Sequence, residues 1–332
     1  MNPEEYFLEV QGLKKYFQAG RINLFSRKTR LIHAVDGVDL QLKRGETLAL
    51  VGESGCGKST LALTLMGLEK PTEGKIIFES REITNANQQE HKLLCQRIQM
   101  VFQDPYESLN PTQTIQEIVA EPLDVHRLEP GKAEREQRVV RAMEDAGLKP
   151  AEIYLHRYPH ELSGGQRQRV VIAGALVLEP HLLVADEPVS MLDVSIRAEI
   201  LNLLAELRQT RQISIIFITH DLGTVGYFAD RIAVMYLGRI VEIGPTQKIL
   251  KNPCHPYTKA LLSVIPVPNP RLRRDRLILQ GETPNPIDLP LGCRFHPRCP
   301  VVMADCARID PVYVSVGNGH QVACLLAKEL AD

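Results

Sequence analysis

The sequence predicts an α/β protein: a largely parallel sheet with helices on its faces, a helical insertion, and a small loop-rich extension at the C-terminal end. Three observations predict it. Short apolar runs alternate with helical patterns through most of the chain. A Gly-rich turn joins the run at 47–51 to a helical pattern at 58–68. Near residue 252 the alternation stops, and Pro-rich sequence takes over.

Taken in order, the run Thr47-Leu48-Ala49-Leu50-Val51 is apolar without alternation, as expected of a strand covered on both faces. The run at 98–102 is a second strand. From about 104 to 160 strand signals fade, and charged helical patterns such as 131–146 mark the insertion. Residues 182–185 predict a buried strand, 196–207 an amphipathic helix, 213–218 another strand, and 231–236 the strand that closes the series. Buried strands separated by helices imply parallel neighbours, because a parallel crossover needs a connection of helix length. Beyond 252, Pro253, Pro256, Pro266, Pro268, Pro270, Pro284, Pro286 and Pro290 rule out a continued doubly wound pattern. A boundary is therefore expected between 1–251 and 252–332. The basic patch Arg271, Arg273, Arg274 and Arg276 reads as a solvated connector.

The 332 residues are 44% hydrophobic and 24% charged, which excludes wholesale disorder. Lys plus Arg number 39 against 40 Asp plus Glu, a balance that argues against a nucleic-acid partner. No apolar run approaches the ~18 residues of a spanning helix. The first nine residues, with Glu4, Glu5 and Glu9, lack the basic and apolar regions of a secretory signal. The expectation is a soluble protein that reaches a membrane only through a partner. Seven cysteines in such a chain do not suggest a disulfide framework. Cys56, Cys95 and Cys254 are scattered, while Cys293, Cys299, Cys306 and Cys324 crowd the last forty residues.

Gly52-Glu53-Ser54-Gly55-Cys56-Gly57-Lys58-Ser59 fits the G-x-x-x-x-G-K-[ST] phosphate loop, between strand and helix as that loop requires. Glycines let successive amides converge on phosphate oxygens, and the helix N-terminus adds a favourable dipole. Lys58 would bridge β- and γ-phosphates, and the Ser59 hydroxyl would ligate Mg²⁺. Cys56, inside the loop, is expected to make nucleotide binding sensitive to thiol reagents. The strand at 182–185 runs into Asp186 and Glu187, where Asp186 would face the Mg²⁺ shell and Glu187 would polarise an attacking water.

The octapeptide Leu162-Ser163-Gly164-Gly165-Gln166-Arg167-Gln168-Arg169 is similar to the signature of ATP-binding cassette (ABC) proteins, just upstream of the carboxylate strand as in that family. The resemblance implies a P-loop cassette with a mainly parallel core, an antiparallel β subdomain, and a helical subdomain at about 104–165. It implies composite sites, in which Ser163, Gly165 and Gln166 serve the ATP held by a second ATPase subunit, identical or homologous. It also implies that Tyr16 stacks on adenine, that Gln103 contacts Mg²⁺ and water, and that His220 contacts the γ-phosphate. Thr60 joins the nucleotide-binding set on the same ground. Ser190-Met191-Leu192-Asp193 resembles the dimer-interface loop, with Met191 where the family more often has Ala.

Residues 252–262, Asn-Pro-Cys-His-Pro-Tyr-Thr-Lys-Ala-Leu-Leu, look like the segment that follows the ATPase core in oligopeptide and dipeptide importer subunits. Gly281-Glu282-Thr283-Pro284, Gly292-Cys293-Arg294-Phe295, and the long N-terminal loop at 19–33 with Phe25 continue the likeness. It implies two transmembrane permease partners, an external solute-binding protein acting indirectly, and a peripheral place on the cytoplasmic face of the membrane. Nickel or glutathione as cargo is the nearer alternative; a non-transport ABC ATPase in DNA repair or translation is the more distant one.

Cys293, Cys299, Cys306 and Cys324 have intervals of 5, 6 and 17 residues. Four thiolates hold either a tetrahedral Zn²⁺ or a [4Fe–4S] cluster. Tight C-x2-4-C pairs, usual for zinc, are absent, and some importers of this family carry [4Fe–4S] here. The cluster is the first expectation, with zinc second and four buried reduced thiols third.

Overall fold

The computed structural model describes residues 6–21, 29–128, 131–265 and 276–330. Phe25, Arg271, Arg273, Arg274, Pro266, Pro268 and Pro270 lie outside the described residues. The chain begins with β1 (Leu8–Arg21), β2 (Thr29–Leu42) and β3 (Thr47–Val51), then α1 (Lys58–Leu65), β4 (Glu73–Phe78) and β5 (Arg81–Glu82). Next come α2 (Gln88–Arg97), β6 (Ile98–Val101), α3 (Pro105–Ser108), α4 (Ile115–Val125), α5 (Lys132–Asp145) and α6 (Gly164–Leu176). These are followed by β7 (Leu182–Asp186), α7 (Val194–Arg211), β8 (Ser214–Thr219), α8 (Leu222–Phe228), β9 (Arg231–Tyr236) and β10 (Arg239–Pro245). Helices α9 (Thr246–Lys251) and α10 (Pro256–Ser263) precede two short strands, β11 (Val314–Ser315) and β12 (Gln321–Val322). Among the described residues, no helix is long and apolar enough to cross a membrane.

Two compact units result. One comprises Met1–Lys43, Thr47–Asn85 and Ile218–Asp332; the other comprises Arg44–Glu46 and Ala86–Phe217.

The first unit holds the antiparallel sheet β2-β1-β4-β5. Leu8, Val10 and Leu13 of β1 are buried, as are Val38, Leu40 and Leu42 of β2. Pairing of Leu8 with Leu42 and Val10 with Leu40 keeps those apolar side chains in register on one face. The same unit contains the run β11-β12-β10-β9-β3, in which β3 is parallel to β9. The series does not close at 231–236. Leu237 and Gly238, with φ of 42° and 78°, form a two-residue turn that sends β10 back antiparallel to β9. Leu in a left-handed position is an uncommon turn residue, which is why composition conceals this hairpin. β12 then adds to β10, Val322 opposite Glu242. Beneath these strands Tyr236, Tyr257 and Phe295 are buried, with ring centroids 4.7–5.4 Å apart. Helix α1 stops at Leu65, short of 68, because Gly67 turns left-handed (φ 73°) and its N–H bonds back to Thr64.

In the second unit β6 and β7 are parallel, Ile98 opposite Leu182, and β8 lies on the other side of β7. The expected helical segment is present: α4 opens on a Thr114–Glu117 capping box, and α4, α5 and α6 pack pairwise. Arg169 donates to the Ala146 carbonyl at 3.1 Å and to Glu199 at 3.0 Å, joining the end of α5 to α6 and α7. Helix α7 extends at both ends beyond 196–207, ending where Gln212 adopts φ 54°.

Candidate nucleotide site

The phosphate loop leaves β3 and runs into α1. Gly57 is the N-cap of α1, with φ 108°, and no side chain caps the first turn. Its first amides are therefore open to an anion. A Cβ at Gly57 would lie 2.0 Å from the Ala34 carbonyl oxygen, and one at Gly52 would lie 2.2 Å from that of Met235. Both positions exclude any side chain. Lys58 is buried, and its Nζ donates to the carbonyls of Gly52 and Glu53 at 2.9 Å each. Ser54, Gly55 and Ser59 are exposed, and Thr60 is partly so. Cys56 is 1% exposed, and burial raises its thiol above the ordinary value despite the opposing charge of Lys58. Contrary to the expectation from its position, the folded loop offers thiol reagents a poor target.

Tyr16, on β1, is half-buried; its ring lies 4.3 Å from that of His33, and its hydroxyl donates to Asp36. Burial first, and the Asp36 charge with it, raise its phenol. Asp36 also accepts from Arg294, a partner 258 positions later that no local pattern signals. His220 is exposed, directly after β8 and before Asp221, whose carboxylate caps α8.

In the second unit Asp186 ends β7 and is buried. Glu187 follows at φ 46°, a left-handed conformation unusual for a residue with a side chain. Gln103, two residues beyond β6, donates from Nε2 to Glu187 Oε2 at 3.3 Å. Two residues expected to act on the same water are thus brought together. Ser163 is the N-cap of α6, accepting from the Gln166 N–H at 3.3 Å, while Gln166 Oε1 accepts from the Ser163 N–H at 3.0 Å. The reciprocal box leaves Gly164 and Gly165 at the partly exposed head of a helix. Gly165 also permits close packing, since a Cβ there would meet Ile196 at 2.7 Å. The loop at 190–193 is held by Arg197, which donates to the carbonyls of Leu192 and Ser190. Met191 is 60% exposed and Val194 81%, an apolar tip of the kind partners cover. Tyr16, Lys58, Ser59 and His220 therefore belong to one unit, and Gln103, Ser163, Gly165, Gln166, Asp186 and Glu187 to the other.

All seven cysteines are free thiols. Cys293, Cys299, Cys306 and Cys324 gather close enough to interact electrostatically: burial pushes Cys293 up to about 11, and the other three thiols add to the rise. The Cys293 N–H donates to the Cys306 carbonyl at 2.8 Å, and a Cβ at Gly292 would lie 2.5 Å from that oxygen. Among the described residues, the one group of three or more potential ligands within 4.8 Å of each other is Glu242, Cys254 and His320. Its carboxylate is already engaged, by the Cys254 N–H at 2.7 Å, the His255 N–H at 3.0 Å and His320 Nε2 at 2.7 Å. That arrangement is complete as a hydrogen-bonded lock between β10, the start of α10 and the tail.

His255 beside it is fully buried and caps α10 through Nδ1, which accepts from the Tyr257 N–H at 3.1 Å. Burial lowers its pKa to about 4. The unfolded chain takes up this proton near pH 6.5 and the folded chain only near 4, so stability is full above the higher value and lost as pH falls. Unfolding free energy should drop by about 3 kcal/mol across that window. His255→Asn, which retains a capping side chain, should flatten the slope in denaturant titrations between pH 7 and 4. An unaltered slope in the variant would place the titration elsewhere.

A Gly-rich loop on an uncapped helix start, a strand running into two carboxylates, and another helix that is Ser-capped and opens on Gly-Gly together define a P-loop ATPase of the ABC class. Residues 35–190 match the ABC transporter family, and residues 241–306 match the C-terminal region of the oligopeptide/dipeptide transporter family. The chain is 47% identical to the oligopeptide transport ATP-binding protein AppF of Bacillus subtilis, over 97% of this chain and 98% of that one. It is 48% identical to the dipeptide transport ATP-binding protein DppF of Haemophilus influenzae, over 96% and 95% respectively. Among solved structures, the ATP-binding cassette MJ0796, a dimer bound to ADP and Pi, matches with TM-score 0.62 and 29% identity, over 72% of this chain and 98% of that one. The chain belongs to the ATP-binding proteins of ABC transporters, in the oligopeptide/dipeptide branch, and is an ATPase.

Proposed function

We propose that this ATPase drives import of dipeptides or oligopeptides from the cytoplasmic face of the cell membrane. It works there with two permease subunits, a second ATPase subunit and, indirectly, an external solute-binding protein. The observation that carries the cargo is the match of residues 241–306 to the peptide-importer C-terminal region, joined to near-full-length likeness to peptide transport ATPases. Residues 1–251 form the cassette and 252–332 the extension. Lys58 and the amides of 52–60 hold the phosphates, Tyr16 faces adenine, and Ser59, Gln103 and Asp186 serve Mg²⁺. Glu187, oriented by Gln103, draws the proton from the attacking water, and His220 steadies the γ-phosphate. Ser163, Gly165 and Gln166 present a helix N-terminus to the ATP of the second subunit. Positioning and electrostatic stabilisation carry most of the rate.

For the four thiols, the spacing supports an iron–sulfur cluster over zinc. The intervals of 5, 6 and 17 residues lack the tight C-x2-4-C pairs usual for structural zinc. A bound [4Fe–4S] cluster would staple the loops that carry Cys293, Cys299, Cys306 and Cys324. One experiment tests both assignments. The complex, purified without oxygen and placed in vesicles, should accumulate labelled peptide only with ATP on the ATPase side, and should hold about four irons per chain. Accumulation of nickel or glutathione instead of peptide would reassign the cargo. Absence of iron and of visible absorption would remove the cluster.

A further inference from the structure

Glu53 stands second in the phosphate loop, and phosphate binding makes no use of its side chain. We propose that Arg298 is a positioning residue for this loop, acting through Glu53, so that the C-terminal extension sets nucleotide affinity. The proposal rests on reading residues 52–59 as the ATP site.

The contacts are these. Arg298 Nη1 donates to Glu53 Oε2 at 2.8 Å and Nη2 to Oε1 at 3.2 Å, a two-pronged grip that a lysine cannot reproduce. Thr283 Oγ1 donates to the same Oε2 at 2.6 Å. The Glu53 N–H donates to the Tyr257 hydroxyl at 2.9 Å. Three residues, 204 to 245 positions away, thus grip both the side chain and the backbone of one loop residue. The Arg298 side chain is 9% exposed and that of Glu53 27%, so water replaces these bonds poorly. Burial alone would raise the Glu53 carboxyl; the bonds from Arg298 and Thr283 outweigh it and hold it below the ordinary value.

The consequence for ATP follows from the Glu53 carbonyl, which is one of the two oxygens holding Lys58. When the ammonium turns to phosphate, residue 53 loses that bond, and the Arg298 fork keeps it in place. The loop amides then need no reordering on binding, which favours affinity. Arg298 directly precedes Cys299, so the segment bearing two of the four clustered thiols is also the one fastened to the phosphate loop.

The test measures affinity for a fluorescent ATP analogue, and thermal melting without nucleotide, in the full chain. Arg298→Ala should raise Kd roughly tenfold, in the range of ordinary coupling between sites. Glu53→Gln should raise it as well, and the double variant should be no weaker than the worse single one, because both act through one link. Arg298→Lys should fall between wild type and Arg298→Ala. If Arg298→Ala does not fold, Arg298→Lys and Glu53→Gln still carry the comparison. Native affinity in folded Arg298 variants, or full additivity in the double variant, overturns the proposal. Failure of the unaltered chain to bind the analogue strikes the ATP-site reading instead, and Lys58→Ala binding as well as wild type does the same.

Discussion

Glu187→Gln is expected to bind MgATP as the unaltered chain does and to turn it over about 10²–10⁴-fold more slowly, the usual scale for a positioned base. The geometry argues for it in two ways. Glu187 directly follows β7 in a left-handed conformation (φ 46°), and such strain persists only where the surroundings hold it. Its Oε2 accepts from Gln103 Nε2 at 3.3 Å, a bond that orients the carboxylate. Glutamine keeps the volume and loses the basic oxygen, so binding and chemistry should separate. Phosphate release at saturating ATP, set beside equilibrium nucleotide binding, measures both. Turnover near the native rate would assign the base to another residue.

Lys58→Ala is expected to act one step earlier and remove nucleotide binding. Its ammonium is buried in the mouth of the loop, 2.9 Å from two carbonyls, with no second cation among the eight loop residues. Truncating one member of a buried charged pair costs about 2–5 kcal/mol, so Kd should rise by about 30-fold to several thousand-fold. A chain that binds ligand melts at a higher temperature in its presence. MgATP should therefore raise the melting temperature of the unaltered chain and leave that of the variant where it was. Equal shifts in both would show that the phosphate charge is met elsewhere. Lys58→Arg should not restore binding, because a planar guanidinium cannot reproduce the compact ammonium that bonds the Gly52 and Glu53 carbonyls.

These two predictions draw on different amounts of sequence legibility. The phosphate loop and the Ser163 helix start were legible because each is contiguous: eight adjacent residues determine where the amides point, and distant chain adds little. The strand at 182–185 was legible as an unbroken apolar run, and that at 231–236 as an apolar run behind a single Arg. The hairpin after Tyr236 was not, since Leu237 is a weak turn signal. Accessibility was not legible either: Cys56 sits in an exposed-looking motif yet lies beneath the loop.

What the sequence determined by itself was the class of enzyme, because the phosphate-loop and signature motifs are each encoded in neighbours along the chain. Tertiary structure alone decided how the C-terminal segment meets the phosphate loop, β2 and β10. Arg298 meets Glu53 across 245 positions, Arg294 meets Asp36 across 258, and His320 meets Glu242 across 78. Charged side chains so far apart carry no period or spacing to read; only the packing of β12 on β10, and of Phe295 against Tyr236 and Tyr257, brings them within hydrogen-bond reach.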